Sequence, residues 1–361
     1  MVGAMPRIRV VALTPGGIRL ARRLCQALPG AVCWLPASRA EPGEMSFASL
    51  KDVFADAWAT GSPLVCIMAA GIVVRHLAPL LQGKDRDPAV VVLDEHGRFA
   101  ISLLSGHVGG ANALARQVAQ AVGGTPVITT ATDVQGLPAV DLLAVQAGLA
   151  IENLAGVKEV SMALLSGQPV RLLDPEGRLA AALAPYQDRF HFEADLDAAL
   201  QRPQQPTIYV GCQERPWPAG WLRLRPRNLI AGIGCHQGTP AQEILDFIQE
   251  IFRQAGLSLL SLQALATVAA KKDEPGLQEA ARRLNVDLLW FPATELQNIP
   301  VPHPSAQAAR HVGTKSVSEA AALKAGAGRL LVPKQKGPNL TLAVVQAAWP
   351  SSALAPAPRT T

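Results

Sequence analysis

Apolar runs alternate with helical patterns along the first 130 residues. The segment "IRVVALT" predicts a strand, and "GGIRLARRLCQAL" predicts the helix that follows it after a glycine turn. The same reasoning predicts strands at "PLVCIMA", "AVVVLDE", "FAISLLS" and "TPVITT", and helices at "GIVVRHLAPLL" and "GGANALARQVAQAVG". Strands this continuously apolar are covered on both faces, so the pattern predicts a largely parallel sheet between helices, an α/β layer domain.

This pattern stops near Asp133 and returns near Asn228. Between them the strand candidates are "QPVRLLD", "TIYVGC" and "WLRLRP", and residues 175–206 are expected to be irregular. The returning pattern includes "NLIAGIGC", "VDLLWFP", "RLLVPKQK" and "NLTLAVVQAA". The prediction is two α/β domains with mostly parallel sheets, residues 1–134 and 229–349. A smaller α/β middle domain, 135–228, joins them, and a disordered tail, 350–361, follows.

Two helix starts in the third domain carry capping residues. In "TPAQEILDFIQEIFRQAG", Thr239 is expected to cap the helix with Pro240 at its first position. In "SVSEAAALKAG", the spacing of Ser316 and Glu319 predicts a capping box.

Composition narrows the class of protein. Of the 361 residues, 49% are hydrophobic and 17% are charged, which is enough for packed cores. Only 4% are aromatic, which argues against single-stranded nucleic-acid binding. The net charge of +5 is spread along the chain, which suits anionic small substrates better than a nucleic-acid tract. For the net charge alone, ordinary solubility charge is the favoured explanation.

Neither cysteine spacing nor hydropathy indicates export or a membrane anchor. Five cysteines form no CxxC pair, so we expect free thiols in a reducing cytosol rather than a disulfide framework or a metal site. No segment approaches 18 uninterrupted apolar residues. The expectation is a soluble cytoplasmic protein with neither nucleic acid nor membrane as partner.

The stretch "SGHVGGAN" places one ionisable side chain, His107, among glycines between a strand and a helix. Glycine freedom and the N–H groups of a helix start make an anion site, although the spacing matches neither a Walker loop nor a GxGxxG fingerprint. His107 is therefore either an acid or base near neutral pH or a turn residue that caps the helix. The predicted binding residues here are Ser105, Gly106, Gly109, Gly110 and Asn112.

A second polar group ends the strand "TPVITT". It contains Thr129, Thr130 and Asp133. Because ligands bind at the carboxyl ends of strands in open α/β sheets, these residues are expected to share a rim with Ser105 and His107. Simple capping by Thr and Asp is the alternative.

Further candidates lie at other strand ends and loops. Arg75 follows Gly71 by one turn and is either a carboxylate ligand or a surface residue, and a helix start beside Cys235 would lower the pKa of that thiol. Together the glycine-rich and hydroxyl-rich strand ends indicate a large, polyanionic, partly apolar ligand, whereas a nucleotide would leave a standard fingerprint. The remaining predicted binding residues are Lys84, Gly232, Gly234, Lys271, Glu274, Ser316, Glu319 and Lys334.

Several of these motifs in fixed order resemble one family. The segment "KDRDPAVVVLDEHGRFAISLLSGHVGGANALARQVAQAVGGTPVITTATD" resembles the N-terminal domain of the CbiG family of anaerobic cobalamin biosynthesis. The segments "LIAGIGCHQGT", "KKDEPGL", "VGTKSVSEAAAL" and "LLVPKQKGPNLTLAV" resemble its C-terminal domain. The resemblance covers residues 61–133 and 229–348 well, and the middle segment mainly in position and length.

The resemblance implies hydrolysis of cobalt-precorrin-5A. In that reaction the ring A δ-lactone opens, acetaldehyde leaves, and cobalt-precorrin-5B remains. Cobalt belongs to the substrate, so the resemblance implies no cofactor of the protein, and the implied partners are the corrinoid substrate and other enzymes of the pathway for hand-over. A non-catalytic corrinoid-binding or carrier protein is the alternative.

No residue roles come with the resemblance, so the site is assigned from the residues. His107 is the first choice for acid/base catalysis, with Glu95, its neighbour Asp94 and Asp133 next, and Lys271 and Glu274 as contributors from the other domain. Two departures from the family pattern favour the N-terminal loop. His236 and Gln237 follow the Gly-x-Gly-Cys sequence where basic residues are common, and Ala269 stands where an acidic residue is usual.

Overall fold

The computed structural model describes residues 7–83, 86–304 and 316–348. The chain divides into two compact units, Met1–Leu142 and Leu143–Thr361. The first contains one seven-stranded sheet, and the second contains two five-stranded sheets. Each domain predicted from the sequence therefore holds one sheet, while the second and third share a unit. The tail predicted over 350–361 lies outside the described residues.

The first sheet has the order β3-β2-β1-β4-β5-β6-β7 and carries helices on both faces. Its strands are β1 (Ile8–Ala12), β2 (Ala31–Pro36), β3 (Met45–Phe47), β4 (Leu64–Ile67), β5 (Val90–Leu93), β6 (Phe99–Leu104) and β7 (Thr125–Val127). The helices are α1 (Pro15–Ala27), α2 (Leu50–Thr60), α3 (Ala70–Leu77), α4 (Ala111–Val122) and α5 (Ala131–Val134). A further helix, α6 (Val140–Gln146), begins in this unit and ends in the second. The predicted strands and helices of this region are confirmed.

Alternate residues of the central strands enter two different cores. In β1, Val10 packs with α1 and α4 residues, whereas the next residue, Val11, packs with α2 and α3 residues. The side-chain period of two puts successive residues on opposite faces, so a run apolar at every position buries both faces. This arrangement explains why the strand sequences do not alternate with polar residues.

One strand reversal sets the position of the candidate site. β5 and β6 pair antiparallel, and every other pair in this sheet is parallel. The carboxyl ends of β6 and β7 therefore lie at one edge of the sheet, which we call the His107 edge. The carboxyl ends of β1, β4 and β5 lie at the opposite edge.

The middle sheet has the order β10-β9-β11-β12-β8, and only β8 runs antiparallel to its neighbour. Its elements are β8 (Leu149–Ile151), α7 (Leu154–Leu165), β9 (Val170–Leu173), α8 (Ala180–Leu183), β10 (Phe190–Phe192), α9 (Leu196–Leu200), β11 (Thr207–Val210) and β12 (Leu222–Pro226). The three predicted strands are confirmed. The expectation of irregular structure over 175–206 is wrong, because α8, β10 and α9 lie there. These elements of three to five residues are too short for a recognisable period.

The third sheet has the order β15-β14-β13-β17-β16, with β13, β14 and β15 parallel. β17 runs antiparallel to both of its neighbours, so β16 points the same way as β13. The elements are β13 (Leu229–Cys235), α10 (Ala241–Gln254), β14 (Leu262–Val268), α11 (Pro275–Leu284), β15 (Asp287–Phe291), α12 (Ala293–Gln297), α13 (Val317–Gly326), β16 (Arg329–Lys336) and β17 (Leu340–Gln346). Helices again cover both faces.

Of the two predicted caps of this domain, one is wrong and the other is right only in its position. The N-cap of α10 is Pro240 rather than Thr239, whose hydroxyl donates instead to the His236 carbonyl at 2.9 Å. Ser316 is the N-cap of α13, but its hydroxyl makes no capping bond. Glu319 does not complete a capping box because its carboxylate bonds to His303 and Lys334.

Candidate active site

The loop between β6 and α4 is a tight coil that glycine makes possible. Ser105 has a φ of 59° and Gly110 a φ of 88°, both in the left-handed region. A Cβ on Gly109 would lie 2.3 Å from the Ser105 Cβ, so no larger residue fits there. The glycines thus allow the chain to fold back at the His107 edge.

The start of α4 uses its own N–H groups. Gly110 N donates to His107 O at 2.9 Å, Ala111 N to Ser105 O at 3.0 Å, and Asn112 N to Gly106 O at 3.0 Å. The prediction that the helix start offers its N–H groups to an anion is therefore wrong for these three donors. What the coil presents is the His107 side chain.

The imidazole of His107 lies among three oxygen groups. Its Nε2 is 3.1 Å from Thr132 Oγ1 and 3.3 Å from Asp133 Oδ2, and its Nδ1 is 3.6 Å from Asp141 Oδ1. The side chain is 22% exposed, so the ring is sheltered but reachable from solvent. The N-cap of α4 is Gly110, without a side-chain capping bond, so His107 is not the helix cap that was the alternative.

Asp133 is oriented from its other side by two residues of α4. Arg116 Nη2 donates to Oδ1 at 2.7 Å, and Asn112 Nδ2 donates to Oδ2 at 2.9 Å and to Thr130 Oγ1 at 3.1 Å. Asn112 is only 5% exposed, and its Oδ1 accepts from Ser102 Oγ at 2.7 Å. Asn112 therefore joins β6 to the "TTATD" segment and orients Asp133, rather than meeting a ligand as predicted.

Asp141 is the functional candidate that sequence reasoning missed. It lies in the first turn of α6, where an acidic residue is usual because it complements the helix dipole. Its Oδ1 also accepts from Leu142 N at 2.9 Å. Nothing in the sequence separates this aspartate from an ordinary first-turn residue, because its link to His107 spans 34 positions and depends on tertiary packing.

The charges of this cluster reinforce one another. The interaction with Asp141, aided by the charge of Asp133, raises the pKa of His107 despite partial burial. Burial alone would raise the pKa of Asp141, but the nearby His107 holds that pKa below its usual value. The arrangement therefore favours an imidazolium beside carboxylates, a proton-transfer group near neutral pH.

The reversal at β5 and β6 separates the other predicted residues of the first unit. Ser105 is at the His107 edge, where its hydroxyl donates to Asp87 O at 2.8 Å, and the exposed Thr129 follows β7 at the same edge. Gly71, Arg75 and Glu95 follow β4 and β5 and are at the opposite edge. Arg75 is exposed and donates to Gly71 O at 3.0 Å, as a surface residue does. Lys84 lies outside the described residues.

The predicted glycines of the third domain are packing residues. A Cβ on Gly232 would lie 1.9 Å from Ser318 O, and a Cβ on Gly234 would lie 2.8 Å from Thr341 Oγ1. They let α13 and β17 approach β13 closely. Both glycines lie near the end of a strand that leads to a helix, and in the sequence this position is also typical of a ligand-binding loop.

Glu319 is a buried structural carboxylate. Its side chain is 0% exposed and accepts from His303 N at 3.1 Å, His303 Nδ1 at 2.8 Å and Lys334 N at 3.0 Å. Lys334 Nζ in turn donates to the His303 carbonyl, and burial lowers the pKa of Lys334 although the Glu319 charge opposes this. The predicted binding pair Glu319 and Lys334 is thus bonded within the protein, and Ser316 is 1% exposed.

Lys271 and Glu274 tie two loops together at the carboxyl edge of the third sheet. Glu274 accepts from Gly238 N and pairs with Lys271 Nζ at 3.2 Å. The bond from Gly238 leads the interactions that lower the pKa of Glu274. Burial raises the pKa of Cys235, so the expectation of a lowered thiol pKa at this helix start is wrong.

Two of the cavities formed by the described residues are in the second unit, and no predicted site residue lines either of them. One of about 340 Å³ is lined by residues that include Glu176, Arg329 and Gln346, and the other of about 480 Å³ by residues that include Arg215 and Arg329. Within the described ranges, no group of three or more His, Cys, Asp or Glu side chains is arranged to hold a metal ion. In the same ranges, no helix is both long and apolar enough to cross a bilayer.

Comparison with known proteins gives matches in all three segments. The family description "Cobalamin synthesis G N-terminal" matches residues 52–133, "Cobalamin biosynthesis central region" residues 138–226, and "Cobalamin synthesis G C-terminus" residues 229–345. A "Cobalt-precorrin-5A hydrolase" of Priestia megaterium is 32% identical, over 93% of this chain and 93% of its own. The protein of that name from Salmonella typhimurium is 37% identical, over 93% and 97% respectively.

A solved structure of similar length also matches. It is described as a putative cobalamin biosynthesis protein G homolog from Sulfolobus solfataricus, and it is 19% identical over 95% of this chain and 97% of its own, with a TM-score of 0.34. The family assignment follows from the sequence matches, which extend over nearly the whole chain and keep the three segments in order. This chain belongs to the CbiG family of cobalamin biosynthesis proteins.

Proposed function

We propose that this chain hydrolyses cobalt-precorrin-5A, opening the ring A δ-lactone and releasing acetaldehyde to give cobalt-precorrin-5B. The observation that carries the proposal is the match to two relatives of that name over 93% of the chain. The His107 cluster adds a proton-transfer group on an accessible edge. A carrier that only binds the corrinoid needs no proton-transfer group, so the cluster favours the enzyme over the corrinoid-binding alternative.

The chemistry of the substrate fits a protein that adds no cofactor. The cobalt macrocycle accepts the electron pair when the carbon–carbon bond breaks, so the substrate supplies its own electron sink. What the protein adds is binding, orientation and proton transfer. Hand-over to other enzymes of the pathway, and a cytoplasmic location, remain predictions of the same hypothesis.

His107 is the proton-transfer residue of the proposed reaction. Its ring is oriented on one side by Thr132 and Asp133 and on the other by Asp141. Glu95 is at the opposite edge of the sheet, after β5, so it does not join His107 at one reacting atom. Of the acid/base candidates in this unit, the proposal therefore retains His107 as the catalytic residue and Asp133 as its neighbour.

The test is anaerobic turnover of cobalt-precorrin-5A, measured by acetaldehyde release. The variant His107→Gln is expected to lose about 10²- to 10⁴-fold in kcat while it still binds the corrinoid, because a general acid or base contributes about that much. His191→Gln, an exposed substitution on β10, is the matched control. Near wild-type turnover in His107→Gln would demote the residue to a structural role.

Two other outcomes of the turnover assay would favour a different function or a different site. Binding of the corrinoid by the wild-type protein without any acetaldehyde would support the carrier alternative. A loss of turnover in Glu95→Gln but not in His107→Gln would move the reaction to the opposite edge of the sheet.

A further inference from the structure

Both ring nitrogens of His107 face carboxylates on different segments. Nε2 is 3.3 Å from Asp133 Oδ2 on α5, and Nδ1 is 3.6 Å from Asp141 Oδ1 on α6. A neutral imidazole with its proton on Nδ1 can accept the Thr132 hydroxyl at Nε2, 3.1 Å away, but the Asp133 carboxylate would then face a lone pair. Only the imidazolium offers a proton to each side.

The two carboxylates are not equivalent. Asp133 is shared with Arg116 Nη2 at 2.7 Å and with Asn112 Nδ2 at 2.9 Å, so its charge is largely compensated. Asp141 receives the backbone N–H of Leu142 and, among the described residues, pairs with no cation other than His107. The charged groups that face His107 are thus Asp133, Asp141 and, through Asp133, Arg116. Asp141 is the one whose charge is matched by His107 itself.

We infer that His107 enters the reaction as an imidazolium and acts first as a general acid, with Asp141 as the positioning residue that maintains this protonation state. The inference rests on the proposed function and adds the direction in which the first proton moves. It also adds a residue that neither the motif nor the strand order indicates. The pKa of His107 is raised first by Asp141, although Asp141 Oδ1, at 3.6 Å, is farther from the ring than Asp133 Oδ2 at 3.3 Å.

The proton balance gives His107 two roles in sequence. Water adds to the lactone carbonyl carbon, the acyl C–O bond breaks, and the leaving alkoxide takes the proton of His107. The two water protons go to solvent, which leaves a carboxylate, a carbinol and a neutral imidazole. That imidazole then takes the carbinol proton as the carbon–carbon bond breaks. The electron pair passes to the cobalt macrocycle, acetaldehyde leaves, and the imidazolium is restored.

The test compares wild type with Asp141→Asn and uses two readouts. The first is the NMR titration of the His107 ring, assigned by its loss in His107→Gln, which needs no substrate. The midpoint is expected to move to lower pH in Asp141→Asn, because the facing charge is removed. Asp52→Asn, which removes an exposed charge from α2 of the same unit, is the control and should leave the midpoint in place.

The second readout is the pH profile of kcat. At a pH above the titration midpoint of the variant, Asp141→Asn should lose about tenfold in kcat relative to wild type. Most of the lost kcat should return at lower pH, where the imidazole of the variant is protonated again. In the pH range above the midpoint, a tenfold change in the protonated fraction corresponds to one unit of pKa. A purely structural role for Asp141 would lower kcat by the same factor at every pH. Asp141→Glu keeps the charge and should restore part of the activity at high pH, and it also serves if Asp141→Asn does not fold.

The possible failures are distinguishable. An unchanged NMR midpoint in Asp141→Asn, or a uniform loss of kcat, overturns the inference while acetaldehyde release by wild type still supports the proposed function. If wild type releases no acetaldehyde, the proposed function and the acid role fail together, and the NMR titration alone then decides whether Asp141 holds the His107 proton.

Discussion

The first and third sheets share one sequence pattern, a strand followed by glycines and polar residues before a helix, but they use it differently. At the His107 edge, Gly110 has a φ of 88° and open space around its Cα, and the coil presents a reachable imidazole. In the third sheet, Gly232 lies inside β13 against the backbone of α13. One glycine serves chain reversal beside a site, and the other serves helix–strand packing.

The carboxylates of the two regions also differ, both in their exposure and in their hydrogen-bond partners. Asp133 and Asp141 are 18% and 15% exposed beside a titratable ring, whereas Glu319 is 0% exposed and accepts three hydrogen bonds from its own domain. A buried carboxylate with its acceptor positions filled stabilises a fold, while a partly exposed one beside a histidine supports proton transfer. Exposure and bonding partners, not motif, separate the two.

The largest expected effect tests the packing role of Gly232. In Gly232→Ala, the new Cβ would meet the Ser318 carbonyl at 1.9 Å and the Ala322 nitrogen at 2.9 Å. Backbone atoms cannot move aside by a rotamer change, so we expect a loss of about 3 kcal/mol or more in the free energy of unfolding. Urea unfolding of the full chain measures it.

The comparison is sharpened by Gly110→Ala. A Cβ there meets nothing within 4 Å, so the cost is the left-handed backbone alone, about 1 kcal/mol. Equal losses in the two variants would mean that Gly232 does not hold α13 against β13.

The next effect concerns the buried carboxylate. Glu319→Gln replaces one acceptor oxygen with an amide that faces N–H donors of His303 or Lys334, and we expect a loss of about 2 kcal/mol in stability. The matched control is Glu295→Gln on α12, whose partner Lys324 is also on α13 but whose side chain is 46% exposed. That variant should lose less than about 0.5 kcal/mol. Full stability of Glu319→Gln together with loss of corrinoid binding would instead make Glu319 a ligand contact.

Local patterns were sufficient for most of the fold and for part of the site. Most of the longer strands and helices of the first and third sheets follow from residue periodicity, because each element buries enough of its own surface to show a period. β2, α2 and β14 were not predicted. The elements α8, β10 and α9 were missed because three to five residues show no period. The direction of β6, which decides that Glu95 and His107 are at opposite edges, depends on a hairpin pairing that no single strand encodes.

The predicted site residues also divide into those that a local pattern identifies and those whose role depends on tertiary packing. The sequence selects His107 and Asp133 because each follows a strand whose carboxyl end is recognisable, and their roles stay predictions. It does not select Asp141, because the link of Asp141 to His107 depends on the packing of α6. Gly232, Glu319 and Ser316 were selected by motif, and their burial shows packing that spacing alone does not reveal.

The smallest expected effect is a pH dependence of stability at the His107 edge. The folded pKa of His107 is raised, so its interaction with Asp141 contributes in full below the unfolded value of about 6.5 and is lost as pH rises through the folded pKa. The folded pKa of Asp141 is lowered, so the same contribution exists above about pH 3.8 and is lost as pH falls through that folded pKa. The pair of His107 and Asp141 therefore stabilises the folded unit in full between about pH 4 and 6.5.

Within this window, Asp141→Asn is expected to lower the unfolding free energy of the first unit by about 1 kcal/mol, since the pair is partly exposed. Hydrogen exchange of β6 and α4 amides at pH 5.5 measures this loss in the unit itself, and urea unfolding from pH 5.5 to 8.5 gives its pH profile. The difference from wild type should shrink as the imidazole loses its proton. A difference equally large at pH 8.5 would mean that Asp141 stabilises the unit through its shape and its bond to Leu142, and the two regions would then differ only in exposure.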